Sequence, residues 1–367
     1  MPVGVIDIET FLQWHTSCVV LDVRSPSEFE HAHIPGAVNL PLFDDEERKL
    51  VGTTYKQQSR QLAIKAGLHI FGPKMVKLVE TVEQLVSSKN QKTNDKAQPL
   101  VPENAVLLHC WRGGMRSAGV AWLLDLYGFK VFTLRGGYKS FRQWAHKLFD
   151  QPYNLKIVGG YTGSGKTGII HQLLKAGKLV VDLEGLATHK GSAFGGINMP
   201  AQPSQEMFEN LLALRLHQTQ NASKNPSSGV GPAIWMEDES QRIGDLMIPG
   251  ALWTQMRSAP VFFIDIPFEQ RLEYIVQDYG KGDKDKLVSA IMRVQKKLGG
   301  LETKNAINFL LEGNVKESFR ILLSYYDKAY LKGLNSRPNA ANLVTTVACQ
   351  TVTNANVHAL LNRAQLV

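Results

Sequence analysis

Residues 155–167 read LKIVGGYTGSGKT. A short apolar run, Leu155–Val158, ends in a glycine-rich turn, and helical patterning begins at about residue 166. Gly160-Tyr161-Thr162-Gly163-Ser164-Gly165-Lys166-Thr167 satisfies G-x-x-x-x-G-K-[ST] at every fixed position, in the strand–turn–helix context that the motif requires. Its glycines let backbone N–H groups wrap a phosphate, and the following helix N-terminus aims its dipoles at the same anion. Lys166 is spaced to reach a terminal phosphate and Thr167 to ligate Mg²⁺. Gly160, Gly163, Ser164, Gly165, Lys166 and Thr167 are therefore the expected phosphate-binding residues. Phosphate capture follows from this motif; nucleotide hydrolysis does not.

Similar short runs flank it: Leu179–Asp182, Ala233–Met236 and Val261–Ile266 downstream, and Val19–Val23, Val106–His109 and Val131–Leu134 upstream. Apolar, β-branched runs of this length separated by helical stretches predict parallel strands covered on both faces. Between residues 145 and 154 an amphipathic helix gives way to a new strand, which marks a domain boundary. A chain of 367 residues is too long for one small core. The expectation is an α/β protein of two parallel-sheet domains, 1–148 and 149–367, the second with a helical C-terminal region over about 268–340. There Leu287, Ile291, Val294 and Leu298 recur at helical spacing, leaving Lys284, Lys296 and Lys297 for the exposed side. The polar stretches 87–104 and 221–232 read as surface connections, the first following a helix at about 73–86. Trp235 and Trp253 read as core residues.

The second chemical constellation is LLHCWRGGMRS, residues 107–117. An apolar strand ends at His109, Cys110 opens a glycine-rich turn, and a helix follows from Ser117. Backbone N–H groups and a helix N-terminus at such a junction favour a thiolate over a thiol. Gly113 and Gly114 permit an anion nest, Arg112 and Arg116 add positive charge, and Trp111 and Met115 complete the loop. Cys110 is thus the expected nucleophile. Cys110, five residues, then Arg116 also matches a phosphatase pattern, but no Trp-Pro-Asp element supplies the acid that reaction needs. VVLDVRSPSEFEHAHIPGAVNLP at 19–41 and TLRGGYKSF at 133–141 resemble the rhodanese family, whose domains carry sulfur or selenium on the active cysteine. Typical loops of that family are one residue shorter, which leaves room here for a bulkier anion.

Acids able to serve the phosphate loop stand at strand ends: Asp182 and Glu184 after one run, and Glu237, Asp238 and Glu239 after another. His189, Lys190 and Ser192 lie in a glycine-rich segment just beyond a strand, where open α/β sheets carry substrate loops.

Composition narrows the field. There are 41 Lys and Arg against 33 Asp and Glu, a net charge of +8 and a pI near 9.2, which permits a polyanionic partner. Segment 281–332 holds 11 basic and 6 acidic residues, so the excess is concentrated there. Three cysteines, Cys18, Cys110 and Cys349, are too few and too scattered for a disulfide framework or a zinc site. No apolar run approaches the roughly 20 residues that span a bilayer, and MPVGVIDIET at the N-terminus lacks the pattern of a signal peptide. A cytoplasmic protein is expected.

A cysteine-loop domain ahead of a phosphate-loop domain is a rare pairing. With VGTTYKQQSRQLAIKAG at 51–67, LHCWRGGMRSAG at 108–119, GGYTGSGKT at 159–167, DLEGLATHKGSAFG at 182–195 and EDESQRIGD at 237–245, it resembles the tRNA 2-selenouridine synthase family over nearly the whole chain. That resemblance implies a rhodanese-like domain followed by a P-loop NTPase-like domain. It also implies an enzyme that geranylates the sulfur of wobble 2-thiouridine in tRNA with geranyl diphosphate, then exchanges S-geranyl for selenium from selenophosphate. Cys110 would handle selenium, Arg112, Arg116 and the loop amides would hold the donor's anion, and the basic helices would hold the anticodon stem-loop. No tightly bound cofactor beyond Mg²⁺ is implied. Two other readings stay open: a phosphate-loop kinase or ATPase with a sulfurtransferase-type domain, and a non-catalytic RNA-binding protein.

Overall fold

The computed structural model describes residues 3–92, 102, 104–222, 231–280 and 282–366. Two compact units divide the chain, Met1–Lys147 and Leu148–Val367. In the first, strands β1 (Gly4–Ile6), β2 (Val19–Asp22), β3 (Val38–Asn39), β4 (Ala105–His109) and β5 (Lys130–Leu134) form one sheet in the order β1-β5-β4-β2-β3. Every pairing is parallel. β2 and β4 are buried along their whole length, as strands covered on both faces must be. That burial is why they read as continuous apolar runs.

The helix expected at 73–86 is longer, spanning Arg60–Lys92 with Pro73 inside it. Proline removes one N–H from the ladder and usually ends a helix. Here Phe71 on one side and Leu78, Val79, Val82 and Val86 on the other pack into the same core, and that shared burial carries the element through the break. Beyond Lys92, most of the polar 87–104 stretch lies outside the described residues, as do 223–230 of the second one.

The second unit is built on β6 (Leu155–Gly160), β7 (Leu179–Val181), β8 (Ile234–Glu237), β11 (Val261–Asp265) and β12 (Val344–Ala348), all parallel in the order β12-β11-β6-β8-β7. A small antiparallel pair, β9 (Arg242–Ile243) with β10 (Leu246–Met247), follows β8. Four helices, Phe268–Tyr279, Lys284–Leu298, Gly300–Leu311 and Val315–Asn335, gather around a separate apolar cluster that includes Leu272, Ile291, Leu310 and Leu322. Leu287, Ile291 and Val294 face that core while Lys284, Lys296 and Lys297 are exposed. The chain then returns to the sheet as β12, a strand the helical pattern did not announce. Among the described residues no helix is long and apolar enough to cross a membrane.

Candidate active sites

In the first unit Cys110 follows the carboxyl end of β4, the edge where open parallel sheets place ligands. Its side chain is nearly buried, whereas Trp111 through Met115 are exposed. The Sγ atom lies 3.2 Å from Ser117 Oγ and accepts the Gly114 N–H at 3.3 Å. Gly114 caps the helix Met115–Tyr127. Burial pushes the thiol up, but hydrogen bonds from Ser117 and from the Gly114 and Arg112 amides outweigh it and hold Cys110 below the ordinary thiol range.

The loop is closed from behind by the Gly136–Gly137 segment. Tyr138 N–H donates to the Cys110 carbonyl at 2.9 Å and Lys139 N–H to that of Trp111 at 3.0 Å. Gly137 has φ +62°, and a Cβ there would stand 2.4 Å from the Cys110 carbonyl oxygen, so only glycine fits. Beneath it, Arg24 is bound by both carboxylate oxygens of Asp22, with a closest approach of 2.6 Å, and lies 3.9 Å over the Tyr138 ring. His109 is wholly buried, and burial keeps its imidazole below the usual range.

The two loop arginines differ. Arg116 donates to Glu28 at 2.6 Å, and Glu28, also paired with Arg48 at 2.9 Å, is held at about 2 because those cations overcome its burial. Arg116 is thus already neutralised, while Arg112 projects from the loop as an exposed cation.

In the second unit the phosphate loop follows β6 and leads into the helix Lys166–Lys175, capped by Gly165 in the left-handed conformation. Gly163, at φ +80°, passes so close to Ile275 that a Cβ would lie 2.7 Å from its Cδ1. Lys166 Nζ donates to the Gly160 carbonyl at 2.9 Å, and Thr167 Oγ1 donates to Glu184 Oε2 at 2.6 Å. Ser164 Oγ is buried with no hydrogen-bond partner among the described residues.

The candidate acids take separate places. Asp182 caps the helix Leu183–Ala187 through Gly185 N–H at 2.7 Å and pairs with His171 at 3.0 Å. Glu237 is fully buried and accepts Leu183 N–H at 2.9 Å. Burial, then the carboxylates of Asp182 and Glu184, push it well above the carboxylate range. Glu239 is raised in the same way by burial and by Glu184. Asp238 accepts the Tyr330 hydroxyl at 2.7 Å and forms an ion pair with Arg337.

A cleft of about 690 Å³ opens over the phosphate loop. Around the loop the lining is polar, with Gly163–Thr167, Glu184, Asp238 and Glu239, and Tyr330 stands beside it; Phe194, Tyr279, Phe319, Leu322 and Tyr326 add an aromatic and aliphatic wall, with Arg257, Asp278 and Lys297 also in the lining. Lys190 and Ser192 line it as well, Lys190 paired with Asp278 at 2.8 Å. Of the acids and loop residues singled out from sequence, Asp182, Glu237 and His189 do not reach this cleft; His189 is buried against Gly195 and Gly196. Among the described residues no group of three or more His, Cys, Asp or Glu side chains is arranged to hold a metal ion.

Comparison with known proteins joins these two sites. Residues 9–144 match the family model of the rhodanese-like domain, and residues 153–358 match that of the tRNA 2-selenouridine synthase AAA domain. The chain belongs to the tRNA 2-selenouridine synthase family. Relatives bearing that name include one from Nitrosomonas europaea, 32% identical over 87% of this chain and 89% of its own length. One from Bdellovibrio bacteriovorus is 34% identical over 87% and 89%, and one from Pseudomonas putida is 32% identical over 85% and 86%.

Within this member of the family, several site residues escaped the sequence reading. Tyr330 and Arg337, which tether Asp238, come from the far C-terminal region, and the aromatic wall comes from two separate helices and a loop. Trp253, read as core, instead lines the cleft; Trp235 is buried against Phe262. The one local signal was Tyr326 and Tyr330, tyrosines four residues apart and so on one side of a helix.

Proposed function

We propose that the protein converts wobble 2-thiouridine of tRNA to 2-selenouridine in two stages, one at each loop. In the first, the thiocarbonyl sulfur takes a geranyl group from geranyl diphosphate in the cleft of the second unit. The new S–C1 bond forms as C1–O breaks and diphosphate departs. In the second, at the Cys110 loop, selenium of selenophosphate bonds to C2 as the C2–S bond breaks and the geranyl thiolate departs, and water then cleaves the Se–P bond to release phosphate. Alkylation turns a poor leaving group into a good one, which is the chemical reason for the order.

The observation that carries this reading is the mixed polarity of the cleft, a phosphate loop together with aromatic and aliphatic side chains around one cavity. A diphosphate with a ten-carbon tail has that polarity, whereas a nucleoside has polar edges along its length. Lys166, the loop amides and the helix N-terminus would meet the charge that develops on the departing diphosphate. Thr167, with Glu184 beside it, offers the all-oxygen environment that Mg²⁺ takes. Such an ion would add charge stabilisation to the same oxygens.

At the other site, Cys110 is the selenium-handling nucleophile, with Arg112, Gly113, Gly114 and the adjacent amides as the cradle for the donor's phosphate. For the RNA, the exposed Arg293, Lys296 and Lys297 of helix Lys284–Leu298 have no carboxylate partner among the described residues. Lys316 and Arg320 on the next basic helix are already paired with Glu273, Glu269 and Glu317. Free cations are the ones that bind phosphates, so helix Lys284–Leu298 is the stronger contact for the anticodon stem-loop.

The test is to incubate the protein with 2-thiouridine tRNA, geranyl diphosphate and selenophosphate, digest the RNA and weigh the wobble nucleoside. A geranyl adduct followed by a selenium-for-sulfur exchange is expected. Unchanged 2-thiouridine from folded protein would sink the proposal.

A further inference from the structure

Tyr330 is fixed in the cleft by its hydroxyl and by its ring. Its hydroxyl accepts the Gly160 N–H at 3.0 Å and donates to Asp238 at 2.7 Å. Asp238 is in turn held by Arg337, whose other nitrogen donates to the Met256 carbonyl at 2.7 Å. The ring packs on Tyr161 and Phe263, with centroids 5.8 and 6.0 Å away, and it lines the cleft beside the phosphate loop. Lys166 Nζ lies 5.8 Å from its centroid. The ring is therefore fixed next to the ammonium that would receive the leaving oxygens.

We infer that the Tyr330 ring is a catalytic surface for prenyl transfer, placed to stabilise the allylic cation that develops as diphosphate leaves. The inference rests on the reading of the cleft as a geranyl diphosphate site. C1 of the prenyl chain is bonded to an oxygen that Lys166 meets, so the carbon that becomes electron-poor lies close to the same ring. As C1–O breaks, its electron pair leaves with diphosphate and positive charge spreads over C1 and C3. Sulfur then bonds to C1, and the uracil N3 proton passes to water. An aromatic face stabilises such a charge more strongly when water is excluded.

Neighbouring rings are less suited. Tyr161 carries the Arg271 guanidinium 4.7 Å over its face, closer than the 5.8 Å that separates Lys166 from the Tyr330 ring. The Tyr326 hydroxyl is taken by the Ala193 N–H at 3.2 Å, which turns that side chain toward the 189–195 loop.

The test compares Tyr330→Phe with Tyr330→Leu in the full-length protein. Geranylation of a 2-thiouridine stem-loop is followed under saturating RNA, and binding of inorganic diphosphate is measured by calorimetry. Tyr330→Phe keeps the ring and loses the tether to Gly160, so the KM for geranyl diphosphate rises while kcat stays within about threefold. Tyr330→Leu is expected to lose about 30-fold more in kcat than Tyr330→Phe, the loss that one desolvated cation–ring contact implies. Equal kcat values for the two variants would overturn the inference. If the leucine variant no longer binds diphosphate, Tyr330→Trp decides: a rate near that of the phenylalanine variant supports the ring's role, and a rate near that of the leucine variant overturns it. Absence of a geranyl adduct with the wild-type protein is a different failure, since it removes the underlying reading and this inference with it.

Discussion

Both loops follow the carboxyl end of a central parallel strand, β4 in one unit and β6 in the other, and both run into a helix N-terminus. Their surroundings differ. Around Cys110 the Sγ atom meets the Gly114 amide and the Ser117 hydroxyl, and the one arginine within the loop's first helical turn is cancelled by Glu28. Around Lys166 the cation has no carboxylate ion pair among the described residues, and carboxylates crowd the far side of the loop, two of them pushed above their usual range. A nest of amides favours a permanent small anion without adding net charge. A lysine facing acids suits charge that arrives with the substrate and grows as it leaves. The contrast predicts that each loop can be disabled without the other.

The largest effect should come from Cys110→Ser. Removing the thiolate is expected to lower selenium incorporation by about 1,000-fold or more while geranylation continues, so that S-geranyl-2-thiouridine accumulates in the digested RNA. Selenation that survives this substitution would remove Cys110 from the mechanism. Lys166→Ala is the mirror experiment, with a loss of about 100- to 1,000-fold in geranylation. RNA geranylated beforehand should still be selenated at the wild-type rate. A variant that lost both activities would contradict the separation of the two loops.

A third substitution separates shape from chemistry. Gly137→Ala would bring a Cβ within 2.4 Å of the Cys110 carbonyl oxygen and 2.5 Å of the Gly113 nitrogen, at φ +62°. The loop must shift, at a cost of about 1–3 kcal/mol. A displacement of that kind next to a nucleophile should lower selenation by about 10- to 100-fold and leave geranylation alone. Calorimetric unfolding should show the lower-stability transition in Met1–Lys147, because the atoms that a Cβ would meet, on Cys110, Arg112 and Gly113, all belong to that unit.

How far the sequence reached follows the same division between local and distant causes. The parallel sheets were legible because a strand buried on both faces writes itself as a continuous apolar run. Both anion loops were legible because left-handed turns demand glycine at fixed offsets. Partner choice was not. Arg116 meets Glu28, 88 residues away, and nothing local distinguishes it from the exposed Arg112, which has no ion-pair partner among the described residues. Asp238 sits where a catalytic acid is expected, but Arg337 and Tyr330, about a hundred residues on, hold it. Trp253 has the composition of a core residue and became a cleft wall. Pro73 signalled a helix boundary that burial on either side overrode.

The smallest effect concerns Ser117, and it tests whether the thiolate preference is built by the loop or only by its charge. Ser117 Oγ stands 3.2 Å from Cys110 Sγ, and with the amides it offsets the burial that raises the thiol. The thiolate exists above the group's pKa, so a pKa held below the ordinary range keeps Cys110 reactive to lower pH. Ser117→Ala removes one donor and should move the midpoint of iodoacetamide alkylation upward. At neutral pH the rate should fall by about threefold, the scale of one lost hydrogen bond, and at alkaline pH, where both proteins are thiolates, the difference should vanish. Arg116→Ala provides the control. Because its charge is already cancelled by Glu28, it should shift the midpoint less than Ser117→Ala; a larger shift would mean that charge, rather than the hydroxyl and amides, sets the reactivity of the thiol.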